Sequence, residues 1–186
     1  REYEQGPVQS FDLKTAPFKG PADAPIRVVE FSDFLCPYCR SIAGAFSSYV
    51  PQASGRVVLH FKNYPLEQSC NPNVSRTIHP GACNLALGAV CAQDQGKFWP
   101  YHDRVFGAPP SNPGAAEVAA IGAAAGLDGA ALSACMSSAG ARQRHDANHR
   151  RAGLRVRRHA RGGRVQQPEA LVGDAARDEA VDVRGQ

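Results

Sequence analysis

The sequence predicts one α/β domain, and three observations carry that expectation. A β-branched run, Ile26-Arg27-Val28-Val29-Glu30-Phe31, is bounded by Pro25 and Asp33 and reads as a buried strand. Ile42, Phe46, Tyr49 and Val50 then recur at helical spacing, and Val57-Val58-Leu59-His60-Phe61 after Gly55 reads as a second strand, so the chain opens with a strand–helix–strand unit. Beyond Ser75 a long stretch rich in Ala and Leu shows little strand character and predicts a block of helices. The 186 residues suffice for one core-forming domain and are too few for two of ordinary size.

The elements follow in order. Residues 1–22 are rich in Pro, Gly and Lys and read as a linker or edge segment, with Phe11 and Leu13 offering a short strand. The domain proper is expected over 23–148. Pro37 suits the first turn of the helix, and Pro51 is expected to stop it. The helical insertion is expected at about 75–145, where breaks at Gly96, Pro109-Pro110-Ser111 and Gly126 predict three or four short helices. Asp128 suits the cap of the last of them. Residues 149–186 form an atypical Arg-rich tail with no aromatic residue and nothing that reads as a buried strand, so it is expected to lie outside the native core.

Composition narrows the class. A hydrophobic share of 43% with interleaved charges fits a soluble globular protein, and no apolar run approaches the roughly 20 residues that cross a bilayer. The start at Arg1-Glu2-Tyr3-Glu4, without Met or an apolar signal core, reads as a mature form or an excised segment. The net charge of +4 comes from Arg residues concentrated in the last quarter, and no nucleic-acid partner is expected. Six cysteines, an even number, suit an oxidising compartment outside the cytoplasm.

The chemistry concentrates in Cys36-Pro37-Tyr38-Cys39. A Cys-x-x-Cys on the first turn of a helix brings two sulfurs within disulfide reach and is expected to leave the first one exposed. The free amides and dipole of the helix start stabilise a Cys36 thiolate, taking its pKa from about 8.5 into a range of roughly 3.5–7.5. Cys36 is then nucleophile and leaving group, and Cys39 resolves the mixed disulfide. Half a zinc ribbon is the competing reading of the same spacing. The flanking strand and helix, and the lack of a second Cys-x-x-Cys, favour redox chemistry with no metal and no cofactor.

The segment Val29-Glu30-Phe31-Ser32-Asp33-Phe34-Leu35-Cys36-Pro37-Tyr38-Cys39 resembles the DsbA-like branch of the thioredoxin superfamily. The resemblance continues through Phe61-Lys62-Asn63-Tyr64-Pro65-Leu66 and Gly96-Lys97-Phe98-Trp99-Pro100-Tyr101-His102-Asp103, covering roughly residues 20–145. It implies a thioredoxin-like fold with a helical insertion and a thiol–disulfide oxidoreductase acting on the thiols or disulfides of substrate proteins. It also implies a buried carboxylate beneath the cysteine pair, for which Glu30 stands at the matching position. Such a carboxylate would have a raised pKa and relay the proton of Cys39; the plainer reading of Glu30 is a strand-edge residue facing solvent. The stretch from Cys70 to His79-Pro80-Gly81-Ala82-Cys83 is similar to the subgroup associated with vitamin K epoxide reductase-like membrane proteins, which implies reoxidation by a quinone-linked membrane partner. The Pro-Tyr dipeptide also occurs in glutaredoxins, a competing reductase family whose compact domains lack a long insertion. Tyr38 lacks the charge of the histidine found here in strongly oxidising members, so an oxidant of intermediate strength is expected.

Cys70 and Cys83 bracket a turn-rich loop and are expected to form a structural disulfide; zinc held by Cys70, His79 and Cys83 would lack a clear fourth ligand. Cys91 and Cys135 each lie on an apolar helical face and suit a second, helix–helix bridge, against the alternative of two buried free thiols. Trp99, Tyr101 and Phe106, with His60 and His102, read as core.

The family pattern fails at the end of the chain. The Thr-Pro motif with a cis proline and the closing β-hairpin are missing, so the C-terminal part of the sheet is expected to be missing or disrupted. Pro168, in Gln166-Gln167-Pro168-Glu169, does not match the motif. One explanation is a frameshift near Asn148: codons can be chosen for Asn148 to Gln166 such that reading one nucleotide later gives TIAEQGCASGDTPAVVVF, which contains a Thr-Pro and a following strand. The rival to an active enzyme is therefore a redox-impaired interaction or metal-binding module of the same ancestry.

Overall fold

The computed structural model describes residues 11–111, 113–150 and 171–174, the last four and 146–150 as backbone. Its strands are β1 (Phe18–Lys19), β2 (Ile26–Ser32), β3 (Val57–Asn63) and β4 (Leu171–Asp174). Its helices are α1 (Pro37–Gln52), α2 (Ala82–Asp94), α3 (Phe98–Gly107), α4 (Ala115–Ala124), α5 (Gly129–Ser137) and α6 (Ala139–Arg150). Among the described residues no helix is long and apolar enough to cross a membrane.

The strands form one sheet in the order β1-β3-β2-β4. The Ile26 amide donates to the Arg56 carbonyl at 3.0 Å and the Tyr64 amide to the Ser32 carbonyl at 2.8 Å, so β2 and β3 start and end together and run parallel. Every residue of β3 is buried, as expected of a strand in the interior of a parallel pair. β1 lies antiparallel beside β3, with Phe18 opposite His60. The expected short strand at Phe11 and Leu13 is displaced to Phe18–Lys19; Phe11 instead packs edge-on against Phe31, with ring centroids 5.2 Å apart.

α1 begins at Pro37, whose missing N–H costs nothing in a first turn. The helix runs past Pro51 to Gln52. Its end is set by the left-handed Ser54 and Gly55, at φ 49° and 76°, and not by the proline as expected.

Chain contacts divide the molecule into two compact units. The first holds residues 11–31, 44–62 and β4, with Val28, Val29, Val57, Val58 and Phe61 in its core. The second holds residues 32–43 and 63–150, where α2 packs against α3, α4, α5 and α6. Gly88 permits that packing: a Cβ there would lie 2.5 Å from the Tyr101 hydroxyl and 2.7 Å from Val118. Five helices occupy the insertion, one more than the sequence suggested at most. The uncounted boundary, between α5 and α6, is a single Ser138 in extended conformation whose hydroxyl accepts from the Ala141 amide. Asp128 does cap α5, accepting from the Ala131 amide at 2.7 Å, but α5 is not the last helix.

Among its described residues the tail departs from expectation at β4, and residues 149–150 finish α6. Leu171–Asp174 lies antiparallel beside β2, with Leu171 opposite Val29 and Asp174 opposite Ile26. The Arg-rich stretch dominated the sequence reading, and the Leu171-Val172 pair beyond it is the short β-forming segment that reading passed over. Pro168 and the segment from 151 to 170 lie outside the described residues.

Candidate functional site

β2 ends at Ser32, and Asp33, Phe34 and Leu35 turn the chain into α1. Asp33 builds this turn. Its Oδ1 accepts the Leu35 amide at 2.7 Å, its Oδ2 accepts the Leu66 amide at 2.5 Å, and its carbonyl accepts the Cys36 amide at 3.1 Å. Phe34 anchors the turn in the helical unit, 5.1 Å from Phe106 and 6.0–6.1 Å from His102 and Tyr101 by ring centroids. Tyr101, His102 and Phe106, three of the five residues read as core, therefore pack against the cysteine turn through Phe34; His60 is buried as well, whereas Trp99 is only half-buried.

Cys36 stands just before α1, its carbonyl accepting the Arg40 amide, and Cys39 follows on the first turn. Both are free thiols. The Cys39 amide donates to the Cys36 sulfur at 3.5 Å, and the Asp33 amide donates to the Cys39 sulfur at 3.5 Å. The hydrogen bond from the Cys39 side chain, joined by the Cys39 and Tyr38 amides, lowers the Cys36 pKa from 9.0 to about 6, against the opposing effects of burial and the Asp33 charge. The same sulfur–sulfur hydrogen bond, with burial, pushes the Cys39 thiol well above the usual range. A pair tuned in this way is able to divide thiol–disulfide exchange between a sulfur that ionises readily and one that keeps its proton.

The expected exposure of Cys36 is corrected: it is 1% exposed, with Cys39 at 5%. Its sulfur faces the amides of its own helix turn, and the exposed rim is formed by Pro37 and Tyr38, the latter 65% exposed. Glu30 lies buried on β2 and does not face solvent. Cys70 is bonded to Cys83 and Cys91 to Cys135, the second bridge joining α2 to α5. With its two sulfurs in a disulfide, the Cys70, His79 and Cys83 set does not supply zinc thiolates.

Two residues of the site were not recognised in the sequence. Asp33 was read as a strand boundary within the DsbA-like segment and His79 as a possible metal ligand within the Cys70 to Cys83 stretch, with no link between them, yet His79 Nδ1 lies 3.1 Å from Asp33 Oδ2.

A family model described as Thioredoxin matches residues 12–155, most of the chain. The chain belongs to this thioredoxin family. A thioredoxin-like oxidoreductase from Silicibacter pomeroyi DSS-3 superposes with a TM-score of 0.59 at 26% identity, covering 74% of this chain and 71% of that one. Structures of DsbA proteins share the fold at 15% and 18% identity, with TM-scores of 0.63 and 0.60. Among curated relatives, the probable disulfide bond formation protein D of Bacillus anthracis is 32% identical over 103 residues, 53% of this chain and 42% of that protein. The Na(+)/H(+) antiporter NhaA 1 of Mycolicibacterium gilvum is 30% identical over 88 residues, 47% of this chain and 13% of the antiporter. This thioredoxin-family chain therefore spans less than half the length of these curated relatives.

Proposed function

We propose that this domain is a thiol–disulfide oxidoreductase that works outside the cytoplasm and exchanges a Cys36–Cys39 disulfide with cysteines of substrate proteins. The observation that carries the reading is the asymmetry of the two sulfurs: Cys36 lowered to about 6 at a helix start, Cys39 raised and buried beside it. In the oxidising direction a substrate thiolate attacks the Cys36 sulfur, the S–S bond breaks and Cys39 leaves, taking up a proton. A second substrate thiolate then attacks the substrate sulfur of the mixed disulfide and releases Cys36 as a thiolate. The substrate gives up two electrons to form its disulfide, and the domain's disulfide is reduced to the thiolate–thiol pair.

Reoxidation is assigned to a quinone-linked membrane protein of the vitamin K epoxide reductase type, on the strength of the Cys70 to Cys83 segment. Glu30, buried on β2, is assigned the proton relay to Cys39. The deciding experiment is dithiol-peptide oxidation and insulin reduction by the purified protein and by Cys36→Ser. The variant is expected to lose both activities. Retention of either would sink the proposal and favour a redox-inert module whose motif has no catalytic use.

A further inference from the structure

His79 stands in the loop closed by the Cys70–Cys83 disulfide. Its amide and that of Ile78 donate to the Leu66 carbonyl at 3.2 and 2.8 Å, while the Leu66 amide donates to Asp33 Oδ2. Through these bonds the loop seats the imidazole on the Asp33 carboxylate, at 3.1 Å. The Asp33 side chain is 1% exposed and that of His79 20%, so the pair reaches from the base of the cysteine turn to solvent.

A buried carboxylate at this place is a difficulty for thiolate chemistry. Asp33 is needed to organise the Leu35 and Leu66 amides, yet its negative charge opposes ionisation of Cys36. The ionisable groups that act on His79 are Asp33 and Cys36; those that act on Cys36 are Cys39 and Asp33. His79, with Nδ1 3.1 Å from Asp33 Oδ2, is placed to offset the carboxylate with a positive charge.

We propose that His79 is a positioning residue for thiol–disulfide exchange, an imidazolium seated on Asp33 that cancels the carboxylate's charge and lets the Cys36 thiolate form beside it. This rests on the oxidoreductase reading and adds to it a residue outside the cysteine motif. Contact with Asp33 raises the His79 pKa above the ordinary imidazole value, burial works against it, and the charge of Cys36 adds to the rise. The coupling is reciprocal: the thiolate holds the proton on His79, and the imidazolium holds the thiolate on Cys36.

The test is the thiolate titration of the reduced protein by ultraviolet absorbance, for wild type, His79→Gln, His79→Lys and the Asp33→Asn/His79→Gln double variant, each with wild-type circular dichroism. His79→Gln is expected to raise the Cys36 midpoint by about one pH unit, an approximately tenfold loss of thiolate below the midpoint. His79→Lys, which keeps the charge, should stay near wild type. In the Asp33→Asn background the effect of His79→Gln should largely vanish, because the carboxylate to be cancelled is gone. The imidazole resonance of His79 should titrate at lower pH when Cys36 and Cys39 are oxidised. An unchanged midpoint in His79→Gln, or equal shifts in His79→Gln and His79→Lys, would overturn the proposal. These readouts need no substrate: thiolate shifts as described in a protein that oxidises no dithiol would support the His79 role while sinking the oxidoreductase reading.

Discussion

The amide of Leu66 donates to the carboxylate of Asp33 at 2.5 Å, tying the residue that follows β3 and Tyr64-Pro65 to the residue that precedes the active turn. This bond and the one from Leu35 fill both carboxylate oxygens with buried or part-buried backbone donors. Asp33 is therefore a structural staple before it is an electrostatic influence.

Replacing Asp33 with Ala leaves the Leu66 amide buried without its acceptor and removes a second charge-assisted bond at Leu35. Each such loss costs about 1–3 kcal/mol, so Asp33→Ala is expected to lower stability by roughly 3 kcal/mol. Urea unfolding of the reduced protein measures this; an unchanged midpoint would show that the two amides find other acceptors.

The two disulfides differ in loop length, 13 residues for Cys70–Cys83 and 44 for Cys91–Cys135. On the loop-entropy account the shorter contributes about 3 kcal/mol and the longer about 1 kcal/mol more. Cys91→Ala/Cys135→Ala should therefore lower Tm further than Cys70→Ala/Cys83→Ala. Peptide mapping of the non-reduced protein should recover both linkages, and free thiols at either pair would remove the basis for its stability effect.

What the sequence made legible follows from the range of the interactions involved. β2, α1 and β3 are written in local pattern, and the Cys36 site sits where strand and helix periods meet, so both were readable in order along the chain. The link from Asp33 to Leu66 and His79 was not, because it is tertiary: residues far apart in the chain meet through bonds to backbone groups, which carry no residue-type signal. The His-Pro-Gly segment at 79–81 marked a loop without saying what the loop touches. The burial of the Cys36 sulfur was missed for a related reason, since helix-start chemistry fixes which amides reach the sulfur and not what covers it. At Leu171–Val172 a short strand was outweighed by the Arg-rich residues before it.

The reactivity of Cys36 provides the remaining prediction. With its pKa lowered to about 6, the thiolate fraction, and with it the iodoacetamide alkylation rate of the reduced protein, should rise as pH increases through about 6 and level off well below 9.0. The sign follows from the thiolate being the reactive form: raising pH above the folded pKa removes the proton, and further increase adds nothing. The largest lowering influence is the hydrogen bond from the Cys39 side chain. Cys39→Ala removes it while keeping the Cys39 and Tyr38 amides, so the midpoint should move up toward the ordinary thiol range without reaching it. Tyr38→His tests the opposite direction. Tyr38 is 65% exposed, so the change leaves the core intact, and a protonated imidazole next to Cys36 should draw the midpoint below that of the wild type. Each unit of pKa corresponds to about 1.4 kcal/mol favouring the reduced state, or about 30 mV toward a stronger oxidant, which equilibration with glutathione measures. A Cys39→Ala midpoint equal to that of the wild type would show that the helix-start amides alone set the Cys36 pKa, and the asymmetric sulfur pair would lose its explanation.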